Sequence, residues 1–381
     1  MSSNRPVVLS DFFDVNPKRS LAKGHESTFV SMADLAEHQR SISSWTKRPF
    51  KSGSRFQNGD VLVARITPCL ENGKTAFVDI LDEGAVGHGS TEFIVLAARD
   101  GAADPMFGYY LATSPRFRDY ATSRMIGSSG RQRVSAGEVG EYRLEYAPTL
   151  DEQRAIAEAL GSLDTRIEWA QAARLKVLDC AHAVWASEST AESRDITVGD
   201  IAMFHNRRRI PLSARERESR PGPYPYYGAT GQFGSVNDYL FDGNFVLVGE
   251  DGSVVNLDGT PIVQYVSNRF WVNNHAHVLT SEELTPEELF LALQRVNVSG
   301  YVTGAAQPKL SMGRLKQVPI SLPLRGSIEQ ARPTIAALFE SFRGLAGEVE
   351  VLRTTRDALL PKLVSGEIRI EDPERLLDQV A

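Results

Sequence analysis

Ser135 is followed by Val139, then Pro148, then the pair Glu152-Gln153, and then a long amphipathic stretch. The same order returns at Ser311, Leu315, Pro323 and Glu329-Gln330, again ahead of a long amphipathic stretch. The offset between matching residues is nearly constant. This repeat restricts the chain to two copies of one unit, each about half of the 381 residues and each closing on a helix.

The helices are the clearest elements. Ile156, Leu160, Leu163, Ile167 and Ala170 step by four, three, four and three. Leu338, Phe342, Leu345, Val349, Leu352, Arg356 and Leu359 do the same. That is the spacing of a coiled-coil seam, and two such stretches in a duplicated chain favour mutual pairing over two separate amphipathic helices. Pro361 disfavours helix in the residue before it, so the second helix is expected to stop near Leu360. From Thr334 it would then span roughly 40 Å at ~1.5 Å per residue. Two similar heads held about one DNA turn apart (~34–36 Å) describe a ruler of the kind a sequence-specific DNA binder needs.

The globular halves read as mixed and mostly β. Val61 to Ile66 and Glu92 to Leu96 are strand-like runs flanked by Gly, Asn, Pro and Asp, and Pro105 to Ser123 reads as one short helix. Gly243 to Val248 answers the first run, and Thr285 to Val296, with Pro286 at its start, answers the helix. The expected class is α+β: two similar mixed domains, residues 1–150 and 191–326, separated by helical spacers at 151–190 and 327–381.

A net charge of -6 argues against DNA until its distribution is considered. Residues 1–150 carry 18 Lys/Arg against 17 Asp/Glu, and residues 191–326 carry 13 against 14. The acidic excess lies in the helical segments, with 4 against 7 and 7 against 10. A balanced domain can still present one basic face, but counterion release alone would give it little affinity, so a partner is expected to help. Cys69 and Cys180 make neither a disulfide framework nor a zinc site, which suits a reducing cytoplasm. Residues 1–15 lack a signal-peptide core, and no apolar run approaches the ~18 residues of a membrane span.

Several stretches resemble the specificity subunit of type I restriction–modification systems. In the first half they are Gly59 to Arg65, Gly87 to Phe93, Gly130 to Ser135, and Asp151 to Ala157 continuing to Leu163-Asp164. In the second half they are Tyr224 to Gly231, Val248 to Ser253, Gln307 to Ser311, and Leu360 to Ile368. The resemblance implies two target-recognition domains, each reading half of a bipartite, asymmetric site in double-stranded DNA. It implies that the helices form an antiparallel coiled coil that sets the gap. It also implies no catalysis in this chain: methyltransferase subunits, two by analogy, bind the helical regions, and motor–nuclease restriction subunits join them. S-adenosylmethionine, ATP and Mg²⁺ are then expected on the partners and no cofactor here. Ala331-Arg332-Pro333 stands where the first helix has Arg154-Ala155-Ile156, so a proline is expected to interrupt the first turn of the second helix.

The candidate DNA contacts lie in loops. Arg131, Gln132 and Arg133 adjoin Gly127-Ser128-Ser129-Gly130; glycines let a backbone approach a duplex, and Arg and Gln pair with guanine and adenine edges. Gly304-Ala305-Ala306-Gln307-Pro308-Lys309 stands at the matching place, bringing in Gln307 and Lys309. A solvated basic loop is the plain alternative. Lys74, in Asn72-Gly73-Lys74-Thr75, has Pro68 where a phosphate-binding loop needs Gly, so it touches a DNA phosphate or forms a surface turn. Arg65 ends a strand-like run. Tyr227, Thr230 and Gln232 either buttress a DNA-facing loop or, with Tyr224 and Tyr226, pack in a core. Arg207 and Arg208, with Arg209, contact phosphate or are merely solvated.

Glu250-Asp251 invites a metal-dependent nuclease reading, but no third ligand and lysine follow at close spacing, and a Gly-flanked turn accounts for it better. His275 and His277 are spaced as same-face residues of a strand rather than with a ligand partner. No methyltransferase motif is present. A nucleic-acid enzyme and a module of another DNA-defence assembly remain the competing readings.

Overall fold

The computed structural model describes residues 7–128, 130–189, 192–304 and 307–370. The chain divides into two compact units, residues 1–170 with 347–381, and residues 171–346.

Unit 1 runs α1 (Leu9–Phe12), β1 (Phe13–Val15), β2 (Glu26–Val30), β3 (Thr46–Pro49), β4 (Ser54–Phe56), β5 (Val61–Ala64), β6 (Thr75–Phe77), β7 (Gly87–Gly89), β8 (Phe93–Ala98), α2 (Pro105–Thr113), α3 (Pro115–Ser123), α4 (Ala136–Gly140) and the first half of α5 (Leu150–Ser189). Its strands form two four-stranded sheets, ordered β1-β8-β5-β6 and β3-β2-β7-β4. The apolar runs exist because the first sheet is buried on both faces. Val61, Val63, Ile94 and Leu96 face the helices, while Leu62, Phe93 and Val95 pack with Val30 and Phe56 of the second sheet.

Unit 2 runs from the rest of α5 through β9 (Ser193–Thr197), α6 (Val198–Ile201), β10 (Met203–Phe204), α7 (Ala214–Glu218), β11 (Tyr224–Tyr227), β12 (Gln232–Val236), β13 (Phe241–Asp242), β14 (Phe245–Gly249), β15 (Val263–Val266), β16 (Arg269–Val272), β17 (Ala276–Thr280), α8 (Pro286–Leu293), α9 (Met312–Lys316) and β18 (Pro319–Pro323) to the first half of α10 (Arg325–Val364). The sheet orders are β10-β17-β14-β15 and β12-β11-β16-β13, matching unit 1 strand for strand. The senses match too: β2 runs parallel to β7 and β11 to β16, with antiparallel neighbours outside. Val246, Val248 and Leu279 face helices, and Leu247 and Val278 face the second sheet. The repeated serines sit alike: Ser135 caps α4, its Oγ accepting from Glu138 N at 3.1 Å, and Ser311 is the N-cap residue of α9.

In each unit α5 and α10 pair antiparallel. In unit 1, Ile156 and Leu160 share a core with Leu360 and Leu363, Asp164 accepts from Arg356 Nη1 at 2.8 Å, and Arg166 lies 3.4 Å from Glu348. In unit 2, the Arg174 guanidinium stands 4.0 Å over the Phe342 ring, and Trp185 packs with Ile328, Ile335 and Phe339. Ile156, Leu160, Leu163, Ile167, Ala170, Phe342, Val349 and Leu352 are buried, while Leu338 and Leu345 are half-buried.

Four local expectations are corrected. The helix expected over Pro105 to Ser123 is two, because Ser114 is extended (ψ 142°) and caps a second helix that starts on Pro115. α10 starts at Arg325, so Pro333 lies inside it rather than in its first turn; the carbonyl it leaves without a donor belongs to exposed Glu329. α10 also runs through Pro361 to Val364. Burial of Leu360 and Leu363 outweighs the single bond lost at exposed Asp357, and Gly366, at positive φ, follows the helix end in left-handed geometry. The helix is therefore 40 residues long, not 27. Finally, His275 lies in the turn before β17, so only His277 is a strand residue. Residues 371–381 of the expected C-terminal spacer, with Ser129, Ala305 and Ala306 of the glycine loops, lie outside the described residues.

Candidate nucleic-acid interface

In each unit some of the polar candidates lie where the two central strands of the first sheet, β5 and β8 or β14 and β17, meet the loop preceding α4 or α9. The backbone frame is the same in both. Arg65 N donates to Glu92 O at 3.0 Å and Arg65 O accepts from Val134 N at 3.0 Å. Glu250 N donates to His275 O at 2.8 Å and Glu250 O accepts from Leu310 N at 2.8 Å. Arg65 thus corresponds to Glu250, Glu92 to His275, and Arg133 to Lys309.

In unit 1 the loop folds back through a bridge between Ile126 and Arg133. Gly127 and Gly130 both have positive φ, which other residues rarely adopt. A Cβ on Gly127 would also lie 2.9 Å from Arg131 O. Arg133 grips Glu92 with two prongs, Nε to Oε2 at 2.9 Å and Nη2 to Oε1 at 2.7 Å. These donors hold the Glu92 carboxyl below the ordinary carboxylate range. Arg131 is exposed with no ion pair among the described residues, and Gln132 is half-buried with its backbone carbonyl accepting from Thr67 N. The half-buried Arg65 leaves its buried Nε without a partner among the described residues. Lys74 donates to Met32 O at 3.0 Å, so this half-buried lysine is tied to the backbone.

In unit 2 the same frame carries Glu250 where unit 1 has Arg65. Glu250 accepts from Arg209 Nη1 at 2.7 Å, in a pair whose side chains are 13% and 14% exposed. The Arg209 donors also reach Ala276 O at 2.7 Å and Asn206 O at 3.0 Å. Asp251 bonds His275, and Lys309 Nζ lies 3.7 Å from Glu250 and 3.9 Å from Asp251. Fully buried His277 accepts from Asn206 at 2.9 Å. It donates to Leu310 O at 2.8 Å. Burial pushes the His277 pKa down, so it stands neutral. The carboxylates are thus held by cations and by this turn. Among the described residues no cluster of three His, Cys, Asp or Glu could hold a metal ion.

The arginine run separates. Arg207 is exposed, Arg208 lies 4.4 Å over the Phe241 ring and donates to Leu240 O at 2.6 Å, and Arg209 is internal. Tyr226 is core, its hydroxyl accepting from Leu212 N at 2.9 Å. Tyr227 is half-buried against Phe270, and burial raises its pKa. Thr230 and Gln232 are exposed, Gln232 Nε2 donating to Gly234 O at 3.1 Å, and Gln307 is exposed on its loop. Among the described residues the exposed side chains without an ion pair at the two frames are thus Arg131 in unit 1 and Gln307 in unit 2, while the exposed Lys309 is paired with Glu250 and Asp251. Glu92 escaped the sequence reading as a site residue, and Arg209, read there as a phosphate contact or a solvated residue, is instead an internal partner of Glu250; each partner is 41 positions away.

Residues 191–335 match the family model described as the type I restriction modification DNA specificity domain. The chain is 36% identical over 125 residues to a candidate type I restriction enzyme specificity subunit of Haemophilus influenzae, 32% of this chain and 31% of the relative. It is 30% identical over 158 residues to the EcoEI specificity subunit of Escherichia coli, 39% of this chain and 26% of the relative. The chain thus aligns with less than a third of the length of these relatives. Among solved structures, the type I restriction–modification S subunit of M. genitalium superposes with a TM-score of 0.52 at 18% identity, covering 95% of this chain and 97% of that one. Among the described residues no helix is long and apolar enough to cross a membrane. Residues 191–335 are thus similar to the type I restriction modification DNA specificity domain, and over nearly its whole length the chain has the fold of a type I S subunit.

Proposed function

We propose that this chain is the DNA-recognition subunit of a type I restriction–modification complex. The observation that carries the reading is the duplicated scaffold: two lobes with one strand order, each presenting free loop side chains at the same node, one of them within a DNA specificity domain match. On this reading each unit docks mainly in the major groove and reads one half of a bipartite, asymmetric site. Arg131 in unit 1 and Gln307 in unit 2 are the leading base or phosphate contacts, because both are exposed, and Lys309 reaches a phosphate only by leaving Glu250 and Asp251. Arg133 acts by holding its loop to Glu92. α5 and α10 contribute to both units and set the gap between half-sites. Methyltransferase subunits, two of them, bind the helices, and motor–nuclease subunits join the assembly in the cytoplasm. The chain itself performs no chemistry; S-adenosylmethionine, ATP and Mg²⁺ serve the partners. Selection from random duplex libraries by the chain with its methyltransferase partner tests this. The expected product is a two-part motif with a fixed gap, and enrichment of one uninterrupted motif, or of none, would refute it.

A further inference from the structure

We propose that the outer strand of the second sheet in unit 1 is a sequence-independent grip for the phosphates of duplex DNA, and that unit 2 has no such grip at the matching strand. This deepens the DNA-recognition reading and rests on it.

The chain has no carboxylate side chain between Glu37 and Asp60, yet Arg40, Lys47, Arg48, Lys51 and Arg55 fall there. Arg40 is committed to Glu168 at 2.8 Å. The other four form no ion pair among the described residues. Their setting is an edge: β3 pairs only with β2, and all four residues Thr46 to Pro49 are exposed, after Trp45 at 47%. Two guanidiniums rest on rings, Arg48 4.4 Å from the Phe29 centroid and Arg55 5.9 Å from that of Phe50. Such stacking orders the side chain while leaving its N–H donors for an oxyanion. The turn carrying Lys23 is tied alongside, Gly24 N donating to Phe50 O and Phe50 N to His25 O, both at 2.8 Å. Charge on an edge strand also deters pairing with another chain, but carboxylates serve that purpose equally, and here every charge is positive.

Unit 2 shows the contrast at the equivalent strand. β12 pairs with β11 as β3 pairs with β2, yet no charged residue lies between Arg220 and Asp238. Its exposed side chains are Gln232, Phe233 and Ser235. The nearby α7 alternates Arg215 and Arg217 with Glu216 and Glu218, which cancels its charge. A phosphate contact releases counterions, so this division concentrates the salt sensitivity of binding in unit 1.

The test measures Kd of the full chain for a labelled mixed-sequence duplex about three turns long, over KCl from about 50 to 200 mM. The variant K47A/R48A/K51A is expected to flatten the slope of log K against log salt by about 2.7, at ~0.9 per phosphate contact. R215A/R220A/R314A, which removes as many exposed cations from unit 2, keeps the wild-type slope. If the triple variant fails to melt cooperatively, Lys47→Ala and Lys51→Ala singly carry the test, each flattening the slope by about 0.9. An unchanged slope in the unit 1 variants, or equal flattening in both sets, overturns the proposal. So does unchanged duplex binding with lost capture of the methyltransferase partner, which would assign β3 to a protein contact. Wild-type chain that binds no duplex even with its methyltransferase partner would instead sink the recognition reading.

Discussion

The two units share the strand order of both four-stranded sheets, unit 2 adding the β9–β18 pair, and they carry different side chains at one node. Where unit 1 has Arg65, Glu92 and Arg133, unit 2 has Glu250, His275 and Lys309, on the same pair of backbone bonds. The second sheets differ as sharply, β3 cationic and β12 uncharged. The buried scaffold tolerates little change because both faces of each first sheet are packed, while the loops beyond it are free to diverge. Duplication here kept one frame and left the surface of each copy to be set independently.

The largest effects should test whether the frames are equivalent. Leu62 and Leu247 occupy the same place, fully buried between the two sheets of their units. Leu62→Ala and Leu247→Ala should each cost about 2–5 kcal/mol in denaturant unfolding. A cost near zero for one alone would break the equivalence. Next comes the node. Arg209→Ala strands Glu250 in a setting with little water, and about 3–5 kcal/mol is expected. Arg133 sits at the solvent-facing end of its pair, so Arg133→Ala should leave the melting temperature nearly unchanged while raising hydrogen exchange in residues 126–133. Equal destabilisation by both would show that the nodes differ in charge only.

The smallest effect is pH dependence. His277 titrates below the ordinary imidazole range because of its burial. Below about 6.5 the unfolded chain takes up a proton that folded unit 2 refuses, so stability is full above that value and falls with acid. The loss is at most about 1.4 kcal/mol per pH unit for one proton. His277→Gln should flatten this slope in unfolding measured between about pH 5 and 7. An unchanged slope would assign the acid sensitivity to His182 and His205, which burial also shifts down, or to His38 and His88 of unit 1.

The repeat, the strands flanking Leu62 and Leu247 and the α5 seam were readable in the chain, since each is a local apolar pattern. Sheet order was not, because β2 pairs with β7 across a long stretch of intervening chain. Pro361 misled because its local penalty is outweighed by packing of Leu360 and Leu363, which no short window reveals. Arg133 reads as a DNA contact or as part of a solvated basic loop because Glu92, which it grips, is far away in sequence. The row from Lys47 to Arg55 was countable as an acid-free stretch, but only its placement on an exposed edge gives the count a meaning.

The central claim is that each unit reads its own half of one DNA site. The direct measurement repeats the duplex selection with the methyltransferase partner using Arg131→Ala and, separately, Gln307→Ala. The account predicts that each variant relaxes base preference in one half only, that the two halves differ, and that the gap is unchanged. Loss of preference across both halves with either variant, or in the same half with both, would contradict it.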